Sequence, residues 1–198
     1  MKSGRIIVFS ISPNEGLPKY PEALVKVAEF GFEGDYHCKP MRKFSKRGTM
    51  KPNIDRHVTI VAQESLDYAN DRLGIQLGAG NLGENVLTQG LGDLSEVIPY
   101  TLVQIGRSVL LKVIKQNKPC GNLAKYHPQL AKTLWPKNGP KRRGLLCAVI
   151  GGIGEIITPA DQIILHASRC LECGYNMYQQ GQGWKCNNCG ATLGYDSP

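Results

Sequence analysis

Four cysteines near the C-terminal end have the spacing of a structural metal site. Cys170 and Cys173 form one CxxC pair, and Cys186 and Cys189 form a second pair twelve residues further along. Glycine follows each pair, which lets the backbone turn tightly beneath the sulfur atoms. Four thiolates in this arrangement predict one tetrahedral zinc ion. Two disulfides or a thioredoxin-like redox pair are the alternatives, but no βαβ pattern surrounds either pair.

The segment that carries these cysteines has few residues with which to build a core. The side chains best placed to form one include Leu171, Tyr175, Trp184 and Leu193. Their burial is too little to offset the conformational entropy of some thirty residues, whereas metal binding supplies folding free energy directly. The sequence therefore predicts a zinc ribbon at 168–198 and a larger domain at 1–167.

Cys120 is a second candidate for chemistry. It stands in a loop rich in Pro and Gly, directly after a predicted strand and with Lys118 and Lys125 nearby. An accessible thiol in a basic setting favours the thiolate, which is the form that binds metals and attacks other atoms. An ordinary loop cysteine and a hydrolase dyad with a histidine remain as alternatives. Cys147, within the apolar run 145–150, is predicted to be a buried hydrophobic side chain.

Charge points to an anionic ligand. The chain has 24 Lys and Arg against 16 Asp and Glu, a formal net charge of +8. All of this excess lies in residues 1–168, and it is concentrated in 39–56 and in Lys141-Arg142-Arg143. Solvated faces are the ordinary role of such clusters, but their position beside the glycine and cysteine motifs favours contacts with phosphate. The predicted ribbon is neutral and its metal site formally negative, so we expect no phosphate binding there.

Apolar periodicity places these residues on a mainly β framework with a few helices. Alternation along 101–115 is typical of half-buried strands, and short strands punctuated by Gly and Pro favour a barrel. The predicted strands are residues 5–11, 56–62, 84–88, 101–115, 145–150 and 163–165; the predicted helices are 21–30 and 63–73; and 39–56 is predicted to be an exposed loop.

Three glycines match a dinucleotide-binding fingerprint by letter only. Gly78, Gly80 and Gly83 have GxGxxG spacing, but a predicted strand follows them, where a true fingerprint follows a strand and opens a helix. We therefore do not expect a Rossmann site.

The composition favours a soluble protein of the cytoplasm. No stretch approaches the 18 or so apolar residues of a membrane span, and the run at 6–11 is too short for a signal peptide. Four of the seven cysteines lie in CxxC pairs, which indicates metal binding in a reducing compartment. No membrane association is expected.

Four segments together resemble the MOSC domain, which occurs at the C-terminus of molybdenum cofactor sulfurases and as free-standing bacterial proteins. The segments, in order, are Gly31-Phe-Glu-Gly-Asp-Tyr-His37 with Asp55-Arg-His-Val58; Leu82-Gly-Glu-Asn85; Lys118-Pro-Cys120; and Arg143-Gly-Leu-Leu-Cys-Ala-Val-Ile150. The resemblance covers about residues 4–167. Three features depart from the family pattern: the basic stretch 39–54 replaces a His-Gly-Gly, Ala160 precedes Asp161, and a Gly-Asp is missing near 97–100.

The resemblance implies a MOSC-type (pyruvate kinase-like) β-barrel that acts through Cys120. A soft thiolate can carry sulfur as a persulfide or ligate molybdenum. The implied ligand is the molybdenum cofactor, an anionic pterin, and the implied contacts are Arg56, His57, Gly83, Asn85 and Arg143. Asn85 would use its amide as donor and acceptor toward the pterin edge or a small-molecule substrate.

Two functional classes follow. The protein is expected to reduce N-hydroxylated compounds or to transfer sulfur to a metal cofactor, with an electron-transfer protein or a cysteine desulfurase as partner. The alternative is a zinc-ribbon adaptor or RNA-associated protein in which the thiol is incidental, although the neutral ribbon argues against nucleic acid.

Overall fold

The computed structural model describes residues 1–43, 48–166, 177–180, 183–186 and 188–194. Its elements are β1 (Lys2–Ile11), β2 (Tyr20–Glu22), β3 (Val25–Ala28), β4 (Gly31–Phe32), β5 (Met41–Lys43), β6 (Met50–Pro52), β7 (Val58–Ala62), α1 (Gln63–Leu73), β8 (Val86–Gln89), β9 (Leu102–Ile105), β10 (Val109–Gln116), a 3-10 helix (Gly121–Lys125), α2 (Leu130–Leu134), β11 (Leu145–Gly151), β12 (Ile156–Ile157), β13 (Gln162–Leu165), β14 (Met177–Gln180), β15 (Gly183–Cys186) and β16 (Thr192–Gly194).

Seven strands close into a barrel. Their order is β13, β9, β10, β11, β7, β8 and β1, and pairing of β1 with β13 completes the circle. Neighbours are antiparallel except β7 and β8, which are parallel and are joined through α1, because a parallel pair needs a crossover connection. β2 adds to the far end of β1. Closure leaves the barrel strands without an open edge.

Every second side chain along the strands points inward and fills the interior of the barrel. Val109, Leu111 and Val113 of β10 are fully buried, whereas the residues between them are partly exposed. Phe9 and Phe32 meet edge to face with centroids 5.5 Å apart. A second apolar cluster lies beneath the helices and includes Leu66, Ala69, Leu123, Leu130 and Leu134. The mainly β barrel predicted from sequence is confirmed.

Most predicted elements are present, and one helix is wrong. The predicted strands correspond to β1, β7, β8, β9 with β10, β11 and β13, and the predicted helix at 63–73 is α1. Residues 21–30 instead form β2 and β3. Val25 and Val27 are buried on either side of exposed Lys26, a period of two, and Pro21 lies on the short strand paired with Ser10.

The basic segment is also more ordered than predicted. Within 39–56 the exposed loop is replaced by a hairpin of β5 and β6, in which Met41 pairs with Pro52. Gly80 and Gly83 lie in the turn between α1 and β8 with positive φ, after a helix and before a strand. A dinucleotide fingerprint has the opposite order, because it follows a strand and begins a helix.

The C-terminal region contains a three-stranded antiparallel sheet of β14, β15 and β16. Cys186 ends β15, whereas Cys170 and Cys173 lie outside the described residues. The zinc site therefore stays a prediction, as does the boundary at residue 167. No helix in the described part of the chain has the length and apolar character needed to cross a membrane.

Candidate functional site

Cys120 lies at the surface, at the end of the loop between β10 and the 3-10 helix. Its side chain is exposed, and its backbone is extended, with φ −114° and ψ 168°. Fully buried Leu123 anchors the helix that follows. The preceding loop is held by Asn117, whose backbone N–H donates to the carbonyl of Gly144 at 2.8 Å. The thiol is thus presented to solvent from a fixed backbone.

Arg143 has a buried guanidinium within electrostatic range of this thiol. The residue is only 4% exposed, and Nη2 donates to the carbonyl oxygen of Leu82. Nε and Nη1 have no hydrogen-bond partner in the described structure. Burial lowers the pKa of Arg143, while the charges of Glu84 and of Cys120 oppose that effect. Two buried donors without acceptors are costly, and an acceptor group bound beside them would remove that cost.

Arg56 supplies a second cation. Its side chain is half-buried, and burial together with the nearby Arg42 charge lowers its pKa, whereas Asp55 and Cys120 raise it. Arg56 and Arg143 therefore both lie within electrostatic range of the Cys120 sulfur. The structure brings together these three predicted residues, which are far apart in sequence.

Glu84 is a site residue that sequence reasoning missed, although it stands inside the motif Leu82-Gly-Glu-Asn85. Its carboxyl is fully buried, and one oxygen accepts from the backbone N–H of Gly80 at 2.5 Å while the other has no partner. Burial raises the pKa of Glu84, and the charges of Arg143 and Lys19 act in the opposite direction. Glu84 is therefore within electrostatic range of both Arg143 and Lys19.

Asp35 is a second missed residue and is the main acceptor beneath the site. Its carboxylate accepts from the backbone N–H of Ser12 at 3.2 Å and of His37 at 3.0 Å, and it pairs with the Lys19 ammonium at 2.7 Å. Burial disfavours ionisation, but the contacts with His37 and Lys19 outweigh it and hold the pKa of Asp35 well below its usual range. Lys19 is 3% exposed.

The side-chain amide of Asn85 is fully hydrogen-bonded within the fold. Oδ1 accepts from the backbone N–H of Thr59 at 3.1 Å, and Nδ2 donates to the Ser10 carbonyl at 3.2 Å and to Asp35 at 3.1 Å. Both amide hydrogens are therefore used, and the residue is 1% exposed. The donor role toward a ligand that the sequence predicted is not available in this geometry, since the amide joins β1, β7 and Asp35 instead.

Both ring nitrogens of His57 likewise form hydrogen bonds within the fold. Nε2 lies 2.6 Å from the Asn53 carbonyl, and Nδ1 accepts from the Val149 N–H at 3.0 Å, which assigns the proton to Nε2. Burial lowers its pKa. Gly83, the last predicted contact, has φ +74°, and a Cβ there would lie 2.4 Å from Leu17. Both positions support the walls of the site.

A cavity of about 330 Å³ opens at Gly121, the residue after Cys120, and Cys120 itself is not part of its lining. The cavity lies between the loop 15–17 and the 3-10 helix and is lined by Glu15, Gly16, Leu17, Gly121, Asn122 and Lys125. The Lys125 ammonium donates to the Leu17 carbonyl at 2.5 Å and holds the two walls together. A larger cavity, of about 490 Å³, is lined by the N-terminus and residues 91–97 and contains none of the predicted site residues.

No other metal centre is evident in the part of the chain that the structure describes, where no three His, Cys, Asp or Glu side chains are grouped to hold an ion. Two of the four predicted zinc ligands lie outside that part. Cys147 is fully buried, and burial raises its pKa, which confirms the prediction of a core side chain.

Solved structures with this fold come from several bacteria. The YuaD protein from Bacillus subtilis is similar with a TM-score of 0.69 and 19% identity over 84% of this chain and 97% of that one. YiiM from Geobacillus stearothermophilus has a TM-score of 0.62 and 22% identity over 85% of this chain and 77% of its own. YiiM from Escherichia coli has a TM-score of 0.57 and 22% identity, covering 83% and 70%. At these identities the likeness concerns the fold.

The sequence itself assigns the family. A search among curated proteins finds no significant match. The model of the MOSC domain, however, matches residues 24–163, which include the Asp35 motif, Cys120 and Arg143. The chain therefore belongs to the MOSC domain family.

Proposed function

We propose that this protein binds the molybdenum cofactor through Cys120 and reduces N-hydroxylated compounds. One observation carries the proposal: an exposed thiol lies within electrostatic range of two arginines, one of which keeps two buried N–H groups without acceptors. A soft thiolate is a suitable ligand for molybdenum, and a planar guanidinium is a suitable partner for phosphate.

The residues fit an anionic pterin cofactor. Nε and Nη1 of Arg143 would donate to an anionic group and so remove the cost of their burial. Arg56 would add a second charge, and the cavity at Gly121 and Asn122 leaves room for a small substrate. Asp35 and Asn85 would act beneath the site by fixing the strands that carry these groups.

The bound metal would supply two-electron redox chemistry at the thiolate. In the overall reaction a hydroxylamine R–NHOH takes up two electrons and two protons, its N–O bond breaks, and R–NH2 and water leave. The electrons come from an external carrier, and solvent supplies the protons through the open mouth of the site. We propose that this chemistry takes place in the cytoplasm.

A persulfide on Cys120 is the competing use of the same exposed sulfur. In that case the thiolate would accept sulfane sulfur from a donor persulfide, whose own thiolate would leave. Wild-type protein that carries labile sulfur but no molybdenum would favour this function over the reductase.

We also propose that the C-terminal sheet binds structural zinc through Cys170, Cys173, Cys186 and Cys189. The backbone N–H of Asn188 donates to the Cys186 sulfur at 3.4 Å, and Gly190 has φ +74°. An N–H directed at a cysteine sulfur, followed by a glycine turn, is the local geometry that a metal-bound thiolate favours.

The reductase proposal is tested by Cys120→Ser. With dithionite and a viologen dye as electron source and an amidoxime as substrate, we expect Cys120→Ser to lose at least about 100-fold in turnover. Cys38→Ser, which changes the half-buried thiol of the neighbouring motif, is the matched control and should stay near wild type. Equal turnover in wild type and Cys120→Ser would refute the role of this thiol.

A further inference from the structure

The β5–β6 hairpin exposes one whole face. Its register pairs Met41 with Pro52 and Lys43 with Met50, and directly opposed side chains point to the same side of a sheet. All four residues are exposed, including 40% of Met41 and 48% of Met50. We call these four residues the outer hairpin face.

The opposite face of the hairpin is attached to the barrel. Arg42 lies on that side and pairs with Asp55 at 2.9 Å, and the other oxygen of Asp55 accepts from Lys115, near the end of β10, at 2.5 Å. The outer hairpin face is thus held at a fixed orientation.

A buried asparagine fixes the base of the hairpin next to the candidate site. Asn53 is 2% exposed, and its Nδ2 donates to the carbonyls of His37 at 2.9 Å and Lys39 at 3.2 Å. Its Oδ1 accepts from the backbone N–H of Arg56 at 3.3 Å. Since Arg56 is one of the basic residues of the candidate site, Asn53 links the base of the hairpin to that site through the Arg56 backbone.

Charge and apolar character combine on this segment. Its described residues carry five basic side chains, Lys39, Arg42, Lys43, Lys51 and Arg56, against one acid, Asp55. Exposed Met41, Met50 and Ile54, the last 73% exposed, lie among them. Exposed thioether and aliphatic side chains with surrounding cations match a protein partner of opposite charge.

We propose that the outer hairpin face docks an acidic one-electron carrier protein. The inference rests on the proposed function, because the reduction needs two electrons that the chain cannot supply. Two successive encounters deliver one electron each, the carrier is oxidised each time, and the N–O bond is cleaved to give amine and water with two protons from solvent. Electron-transfer encounters have small interfaces, below about 1,200 Å² in total, so such a partner does not require an extensive docking surface.

The experiment measures docking without activity. A strongly acidic bacterial flavodoxin, labelled with a fluorophore, is titrated with the full-length protein at low ionic strength. Lys43→Glu with Met50→Glu should weaken binding about tenfold or more, because charges around an interface steer association. Arg72→Glu with Asn138→Glu, two exposed positions on and after the helices, also changes net charge by −3 and should bind like wild type.

A second arm separates docking from catalysis. Turnover driven by reduced flavodoxin should fall about tenfold or more in the hairpin variant, and dithionite-driven turnover should not change. Absence of dithionite-driven turnover in wild type would refute the reductase and leave the titration as the test of docking. Equal loss of flavodoxin binding in both charge variants would overturn the proposal. Tighter binding of single-stranded RNA or phosphatidylserine vesicles, lost only in the hairpin variant, would also overturn it.

Discussion

Asp35 is the residue on which several donors of the candidate site converge. Ser12, His37 and Asn85 each direct an N–H group at its carboxylate, and the Lys19 ammonium pairs with it at 2.7 Å. It fixes the positions of two strands and of the motif that leads to the hairpin. Its removal should therefore affect stability as well as the site.

We expect Asp35→Asn to lower the free energy of unfolding by about 3 kcal/mol at pH 7, because Lys19 is then left buried without its counter-charge. The pKa of Asp35 is depressed in the folded state, so its contribution is present above the unfolded value of 3.8 and is lost as pH falls toward the folded value. Urea denaturation should show the deficit shrinking below pH 4. Asp71→Asn, on the exposed side of α1, should be neutral, and a deficit that does not change with pH would contradict this account.

Sequence could identify Cys120 but not its supporting residues. Cys120 follows a strand in a loop with Pro and Gly, and those features are local. Asp35 and Lys19 meet only because the barrel brings them together across the loop after β1, and nothing in the local pattern around Lys19 predicts burial. Asn85 shows the same limit, since its hydrogen bonds to Ser10 and Thr59 depend on strand pairing.

At the scale of elements, Gly144 allows the backbone next to Arg143 to pack against β7. It begins the approach to β11 with φ +88°, and a Cβ there would lie 2.1 Å from the carbonyl oxygen of Ile60 in β7. The strands β7 and β11 can approach at this point only because position 144 has no side chain.

Gly144→Ala should therefore cost about 2 kcal/mol or more in unfolding free energy and should weaken retention of an anionic cofactor. Gly78→Ala, at a position with open space around it, should change stability by no more than about 0.5 kcal/mol. Thermal and urea unfolding measure both. If Gly144→Ala were as stable as wild type, the close approach of β7 and β11 would not depend on glycine at position 144, which would contradict this account.

Long periodic elements were predictable, and short ones were not. α1 and β10 have enough residues to display their period, and both match the expectation. Residues 21–30 contain two short strands whose apolar spacing, interrupted by Pro21, also fits one helix. The pairing of β2 with the end of β1 decides between them, and that contact is distant in sequence.

At the scale of the whole molecule, the barrel is complete without the C-terminal sheet. β1 and β13 close it, and β13 ends at Leu165. The spacing of the four cysteines could be recognised in sequence because the metal imposes it, whereas the hairpin at 41–52 could not be recognised from a run of basic residues.

We expect one zinc ion per chain, and Cys186→Ser should lose it while the unfolding transition of the barrel is unchanged. The reason is that the metal supplies folding free energy to the ribbon alone. Elemental analysis and circular dichroism measure the two properties, with Cys38→Ser as the control that keeps its zinc. Full zinc content in Cys186→Ser would contradict the predicted ligand set.

The molybdenum content of protein purified from cells that make the cofactor tests the central claim most directly. We predict that mass spectrometry finds molybdenum in wild type and in Cys38→Ser and little or none in Cys120→Ser, with zinc equal in all three. Molybdenum retained at the wild-type level in Cys120→Ser, or absent from every sample, would contradict the claim that this thiol holds the metal.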